Sequence, residues 1–216
     1  MNVLEFKRKY LTSQERELFR QTADKKEIAV KLFCHALYQT GGRISECLAM
    51  TPDNFDPDGQ YIYLESLKKR ITGNYRRLPV NPQTIQIIKS YCTQNNIHSG
   101  ERIWNWSRMT AYRHVKAVML EAGISKYQAF PKALRHSFAV SALEAGVPMN
   151  LIQRWLGHAD WKTTAIYAEL MGDEEKFYAR RLWENQKTMR QRPAQYQQKP
   201  GILLPKPEIS LLASTV

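Results

Sequence analysis

Thr40-Gly41-Gly42-Arg43-Ile44-Ser45-Glu46 is the stretch on which the reading of this chain turns. It sets an arginine directly after a glycine turn, at the start of a helix, with a carboxylate three residues on. The free backbone N–H groups of a helix start, joined by a guanidinium fork, make a good anion site. Glu46 is spaced to hold the guanidinium of Arg43 from behind. Taken alone, the same pair reads as a surface i,i+3 ion pair, which is common on helices. The rest of the chain has to decide.

Upstream, Thr12 to Glu15 forms a capping box that opens a helix over 12–23. A second helix over 25–39 turns Val30, Phe33, Leu37 and Tyr38 inward and stops at Gly41 or Gly42. A short helix over 45–50 ends before Thr51-Pro52, because the residue before a proline is pushed out of the helical region. Two extended runs, 60–67 and 75–80, flank Thr72-Gly73-Asn74 and predict a β-hairpin. Asn81-Pro82 starts the next helix, with Ile85, Ile88 and Cys92 on one face. A helix over 109–122 points Tyr112, Val115 and Met119 inward and stops at Gly123. One over 132–145 stops at Gly146, and a short one is capped by Asn150 and ends at Gly157. Helices over 161–170 and 173–187 follow. From Thr188 the chain holds four of its ten prolines and little periodicity, and reads as a flexible tail. The expected fold is mainly α with a small β-hairpin or sheet (α+β), as one domain over 1–187 and a tail over 188–216.

The chain has 216 residues, enough for one large domain, or one domain with a tail, around a real core. Its 32 Lys and Arg against 20 Asp and Glu give a net charge of +12. That surplus points to a polyanionic partner, either nucleic acid or an acidic membrane surface. No apolar run approaches the roughly 18 residues of a spanning helix. The start, MNVLEFKRKYL, has no apolar signal core. Cys34, Cys47 and Cys92 are odd in number and widely spaced, which fits a reducing cytosol better than a disulfide framework.

Two further stretches can carry chemistry. In Lys132-Ala133-Leu134-Arg135-His136-Ser137-Phe138, Lys132 and Arg135 share a helix face and can converge on one phosphate. Trp155-Leu156-Gly157-His158 presents a histidine at a helix end, and Thr163-Thr164-Ala165-Ile166-Tyr167 follows nine residues later. Each alone reads as a solvated basic face or an ordinary structural His or Tyr. Together they match what phosphodiester cleavage by a tyrosine requires. Arginine forks neutralise the nonbridging oxygens, and the histidine adds a donor. The tyrosine oxygen attacks in line to form a phosphotyrosine, and a lysine protonates the leaving hydroxyl. This chemistry needs no metal, and the five histidines have no paired ligand spacing. No cofactor is expected.

Four motifs in order, Thr-Gly-Gly-Arg-x-Ser-Glu, Leu-Arg-His-Ser-Phe-Ala, Glu-Ala-Gly-Val followed after seven residues by Trp-Leu-Gly-His, and Thr-Thr-x-x-Tyr, resemble the catalytic domain of tyrosine recombinases, the phage-integrase family. The resemblance covers residues 11–186. It implies Arg43 and Arg135 as the catalytic arginines, His158 at the late His or Trp position, and Tyr167 as the nucleophile. Glu46 and His136 stand behind them. The family carries a catalytic lysine on a β-hairpin, which implies Lys68, in the run Leu-Lys-Lys-Arg, with Lys69 as the alternative. Successive strand residues face opposite ways, so only one can point at the phosphate. It also implies double-stranded DNA as partner, a homotetramer on paired sites, and a place at the nucleoid in the bacterial cytoplasm.

Two positions depart from the family pattern. Lys132 stands where the family usually has a histidine, and an ammonium is a poor base at neutral pH unless its pKa is depressed. The proton of Tyr167 then goes to Lys132 in a depressed state, to another group or to water. The first helix starts near Thr12, so the N-terminal arm domain of most tyrosine recombinases is expected to be absent. Short fimbrial inversion recombinases have that layout. The leading expectation is a site-specific recombinase. A type IB topoisomerase-like enzyme and a catalytically impaired DNA-binding regulator of recombination sites are the alternatives.

Overall fold

Thr12 opens the first helix with the reciprocal bonds of a capping box. Its hydroxyl accepts from the Glu15 N–H at 3.2 Å, and the Glu15 carboxylate accepts from the Thr12 N–H at 2.7 Å. That helix, α1, runs Ser13–Asp24. The computed structural model describes residues 8–67 and 73–158, with Trp183. The chain divides into two compact units, residues 1–170 and 171–216, and every described residue but Trp183 lies in the first. The helices expected over 161–170 and 173–187, the domain bound at 187 and the tail lie outside the described residues, apart from Trp183.

Helix α2, Ile28–Thr40, starts three residues later than the pattern suggests, because the Glu27 carboxylate caps it by accepting from the Ala29 N–H at 3.0 Å. It buries residues around most of its circumference, including Val30, Leu32, Phe33, Ala36 and Leu37. A helix apolar on nearly all sides belongs in the centre. Accordingly α2 touches α1, the short α3 (Ile44–Leu48), α4 (Pro82–Gln94), α5 (Arg108–Glu121) and α6 (Pro131–Glu144). Trp104, in the link between α4 and α5, is fully buried. Its indole N–H donates to the Ala29 carbonyl at 2.9 Å, and its ring meets Phe33 edge-on with centroids 5.2 Å apart.

The sheet has three antiparallel strands in the order β1 (Phe55–Asp56), β2 (Tyr61–Glu65), β3 (Tyr75–Pro79). The expected hairpin is β2–β3, with Gly73 at φ +85° in its turn. Strand β1 is an addition to the expected hairpin, and two residues are too few to show a period of two. Ile62 pairs with Leu78 and Leu64 with Arg76, and all four side chains face inward. Helix α4 starts at Asn81-Pro82 as expected and buries Ile85, Ile88 and Cys92. In α5, Val115 and Met119 are buried, whereas Tyr112 is half-buried against the core.

The last described helix, α7, is Met149–Leu156 and ends at Gly157 as expected, with φ +65°. Its cap departs from expectation. Pro148 is the N-cap, and Asn150 lies inside the first turn. The Pro148 carbonyl already accepts from Leu151 and Ile152, so the helix begins before Asn150 can cap it.

Candidate functional site

Gly41 ends α2 in the left-handed conformation, at φ +57°. A Cβ at this position would stand 2.8 Å from the Phe138 ring, so α6 packs directly on the glycine turn. Two residues on, Arg43 is the N-cap of α3. Its Nη1 donates to Glu46 Oε1 at 2.7 Å, and its backbone N–H to Oε2 at 2.9 Å. The Glu46 side chain is 1% exposed, against 31% for that of Arg43. The pair is therefore no surface ion pair. Burial alone would raise the pKa of Glu46, but hydrogen bonds and charge from Arg76 and Arg43 hold it below its ordinary value.

Arg135 lies on α6, almost wholly buried. Its Nη1 donates to the Gly41 carbonyl at 2.9 Å, and its Nη2 to the Leu156 carbonyl. The latter closes the C-terminus of α7, where the helix dipole favours a cation. One turn earlier on α6, Lys132 is exposed.

His158 follows Gly157, and its backbone N–H donates to the Gln153 carbonyl at 3.1 Å. Burial, then the charges of Arg135 and Arg43, with His136 and Arg76 adding to them, push its pKa down to about 4. His136 is also pushed down to about 4, by burial and then by Lys132, Arg135 and Lys9. Both imidazoles are neutral at pH 7, each with one N–H donor and one acceptor nitrogen. Arg43, Glu46, Arg135, His136 and His158 thus share one locality. Lys68, Lys69 and Tyr167 lie outside the described residues.

One residue of the site escaped the sequence reading. Arg76 is 6% exposed, and its Nη2 donates to Glu46 Oε2 at 2.6 Å. The signal was present in the alternation of Tyr75-Arg76-Arg77-Leu78, which puts Arg76 on the inward face with Leu78. Arg77 faces the other way and stacks on Tyr61 at 4.3 Å. Beside Arg76 opens a cleft of about 520 Å³, bordered by Tyr75, Arg77, Arg154, Trp155 and His158. Three guanidiniums against one carboxylate leave this region positive, as an anion site requires. Among the described residues, no group of three His, Cys, Asp or Glu could hold a metal, and no helix is long and apolar enough to cross a membrane.

Central helix, flanking helices and three-stranded sheet together have the tyrosine recombinase catalytic-domain fold. The XerH site-specific recombinase bound to difH substrate superposes with a TM-score of 0.66 at 22% identity, over 74% of this chain and 50% of that one. The catalytic domain of bacteriophage HP1 integrase superposes with a TM-score of 0.55 at 20% identity, over 78% of this chain and 94% of that one. The phage integrase family model matches residues 9–173, and the chain belongs to that family. Among curated relatives, tyrosine recombinase XerD of Caulobacter vibrioides is 30% identical over 182 residues, covering 76% of this chain and 58% of XerD. XerD of Vibrio vulnificus is 28% identical over 167 residues, covering 71% of this chain and 52% of XerD. The chain spans about half the length of the curated relatives it matches.

Proposed function

We propose that this chain is the catalytic part of a site-specific DNA recombinase that cleaves and rejoins strands through a 3′-phosphotyrosine. The reading rests on one observation above the rest: Arg43, Arg135 and a neutral His158 share one locality, in which a buried, ionised Glu46 holds the guanidinium of Arg43. The two guanidiniums stabilise the charge that builds on the nonbridging oxygens, and the His158 N–H adds a donor. The oxygen of Tyr167 attacks phosphorus in line, and a Tyr O–P bond forms as the P–O5′ bond breaks. The departing 5′ oxygen takes a proton from the hairpin lysine, Lys68 or Lys69. The Tyr167 proton passes to Lys132 in its neutral form, to another group or to water. The 5′-hydroxyl of a partner strand then reverses the step. The phosphotyrosine keeps the bond energy, so rejoining needs no nucleotide cofactor.

The partner in this reading is double-stranded DNA, met by a chain of net charge +12, in a homotetramer on two synapsed sites in the bacterial cytoplasm. The likeness to XerD recombinases and to XerH bound to its difH substrate supports it. The deciding experiment is a denaturing gel of covalent protein–DNA adducts on a suicide substrate. Wild type forms an adduct, and Tyr167→Phe binds DNA without forming one. An adduct that persists in Tyr167→Phe overturns the nucleophile. Wild-type binding without any adduct favours a non-catalytic regulator, and relaxation of plasmid without a specific site favours a topoisomerase.

A further inference from the structure

Arg76 lies under the site and joins three of its elements. From β3 its Nη2 reaches Glu46 on α3 at 2.6 Å, and its Nε reaches the Trp155 carbonyl in the last turn of α7 at 2.7 Å. Its Nη1 lies 3.3 Å from Ser66 Oγ, just past the end of β2 where the hairpin loop begins. The side chain runs against Gly157. A Cβ there would stand 3.2 Å from Arg76 Cδ and 3.4 Å from its Nε. Any larger residue there would press the Arg76 side chain aside by a few tenths of an ångström.

These contacts pair off with the residues that face the substrate. Glu46 orients Arg43, and Arg76 holds the second oxygen of Glu46. Trp155 stands three residues before His158, and its carbonyl and that of Leu156 are taken by Arg76 and Arg135 respectively. The helix end that delivers the histidine is therefore fixed by two arginines from two different elements.

We infer that Arg76 is a positioning residue of the site, setting Arg43 through Glu46 and His158 through the end of α7, with Ser66 tying the root of the hairpin to the same guanidinium. This rests on the proposed function for its catalytic meaning. The planar fork is essential because three acceptors on three elements lie around it. An ammonium is a single point of charge on a flexible stem and cannot serve them together.

The test is single-turnover cleavage of a suicide DNA substrate by the full chain carrying Arg76→Ala or Arg76→Lys. Arg76→Ala should bind DNA as wild type does and cleave about a hundredfold more slowly, the order of loss when reacting groups are misplaced by an ångström. Guanidinium ion at low millimolar concentration should refill the hole and restore cleavage, which a merely weakened scaffold would not allow. Where Arg76→Ala does not fold, Arg76→Lys decides. It should fold, bind DNA and remain slow. Wild-type rates in either variant overturn the inference, and so does a folded, slow Arg76→Ala that guanidinium leaves slow.

A second measurement needs no DNA. Carboxyl-carbon NMR of Glu46 should show its titration moving up in Arg76→Ala, because the buried carboxylate has lost its strongest partner. If wild type forms no adduct, the proposed function falls and this titration judges Arg76 alone. An upward move sustains its hold on Glu46, and an unmoved titration overturns it.

Discussion

The Arg135 guanidinium donates to the Gly41 carbonyl at 2.9 Å, across 94 residues of sequence. The second arginine of the site thus braces the turn that delivers the first. In the proposed function Arg135 also meets the substrate, so its substitutions should register on both cleavage and stability.

Arg135→Lys should cleave a suicide substrate at least about a hundredfold more slowly than wild type, since a point charge cannot copy the fork at the phosphate. Arg135→Ala should also lose stability. It strips the Gly41 and Leu156 carbonyls of their guanidinium donor, at about 1–3 kcal/mol for each one left unsatisfied. Urea denaturation measures the second effect separately from the first. An Arg135→Ala protein as stable as wild type would remove the bracing role.

Gly41→Ala tests the turn itself. Left-handed backbone costs an L-residue about 1–2 kcal/mol. The new methyl would also meet the Phe138 ring, and overpacking adds about 1–3 kcal/mol. The variant should unfold at clearly lower denaturant. Gly73→Ala is the control: it is also left-handed, at φ +85°, but has nothing within 4 Å, so it should show the backbone cost alone.

Glu46→Gln should be among the most damaging single changes. It removes the carboxylate that pairs with the almost fully buried Arg76, and breaking a buried pair from one side costs about 3–5 kcal/mol. The pH dependence has a definite sign. The folded pKa of Glu46 lies below its ordinary value of 4.5. Its contribution is therefore complete above pH 4.5 and is lost as pH falls from there through the depressed value. Thermal melts below pH 4.5 should be less pH-dependent in Glu46→Gln than in wild type.

The histidines act on a neighbouring window. His136 and His158 titrate near 4 when folded against an ordinary 6.5, so the unfolded chain binds more protons between those values. Stability contributed by burying them neutral is complete above pH 6.5 and is lost as pH falls toward 4. Melting temperature should decline through that range, and His136→Gln should flatten the decline. An equal slope in the variant would mean that His136 is not held neutral.

Local signals in the sequence carried well into the structure. The Thr12–Glu15 capping box, the Asn81-Pro82 start and the glycine stops at 41, 123, 146 and 157 depend on nearest neighbours along the chain, and a reader sees those directly. Buried faces followed the same logic, as Ile85, Ile88 and Cys92 illustrate. Asn150 misled because its side chain suits a cap, while the carbonyl of Pro148 had already begun the helix. For Glu46, spacing suggested contact with Arg43 but could not distinguish surface from interior. The deciding partner, Arg76, arrives from a strand 30 residues away. Arg76 itself looked like one of many basic residues in a basic chain. Its burial follows from strand alternation, which a run of Arg-Arg conceals unless the phase is taken from Leu78.

The wiring of Arg76 also bears on how the chain folds. Its bonds to Glu46 and Trp155 close loops of 30 and 79 residues. Such closures sacrifice chain entropy before any local structure rewards them. Helices α1 and α2, joined by a short link, can dock early. The anion pocket has to wait until β3, α6 and the end of α7 have all arrived. Contacts absent from the folding transition state act chiefly on the unfolding rate. Substitutions at Glu46, Arg76 and Arg135 should therefore leave the refolding limb of a chevron nearly unchanged and steepen escape from the native state. On a ribosome, the pocket cannot exist until the chain through residue 158 has cleared the exit tunnel, so a growing chain carries no assembled site.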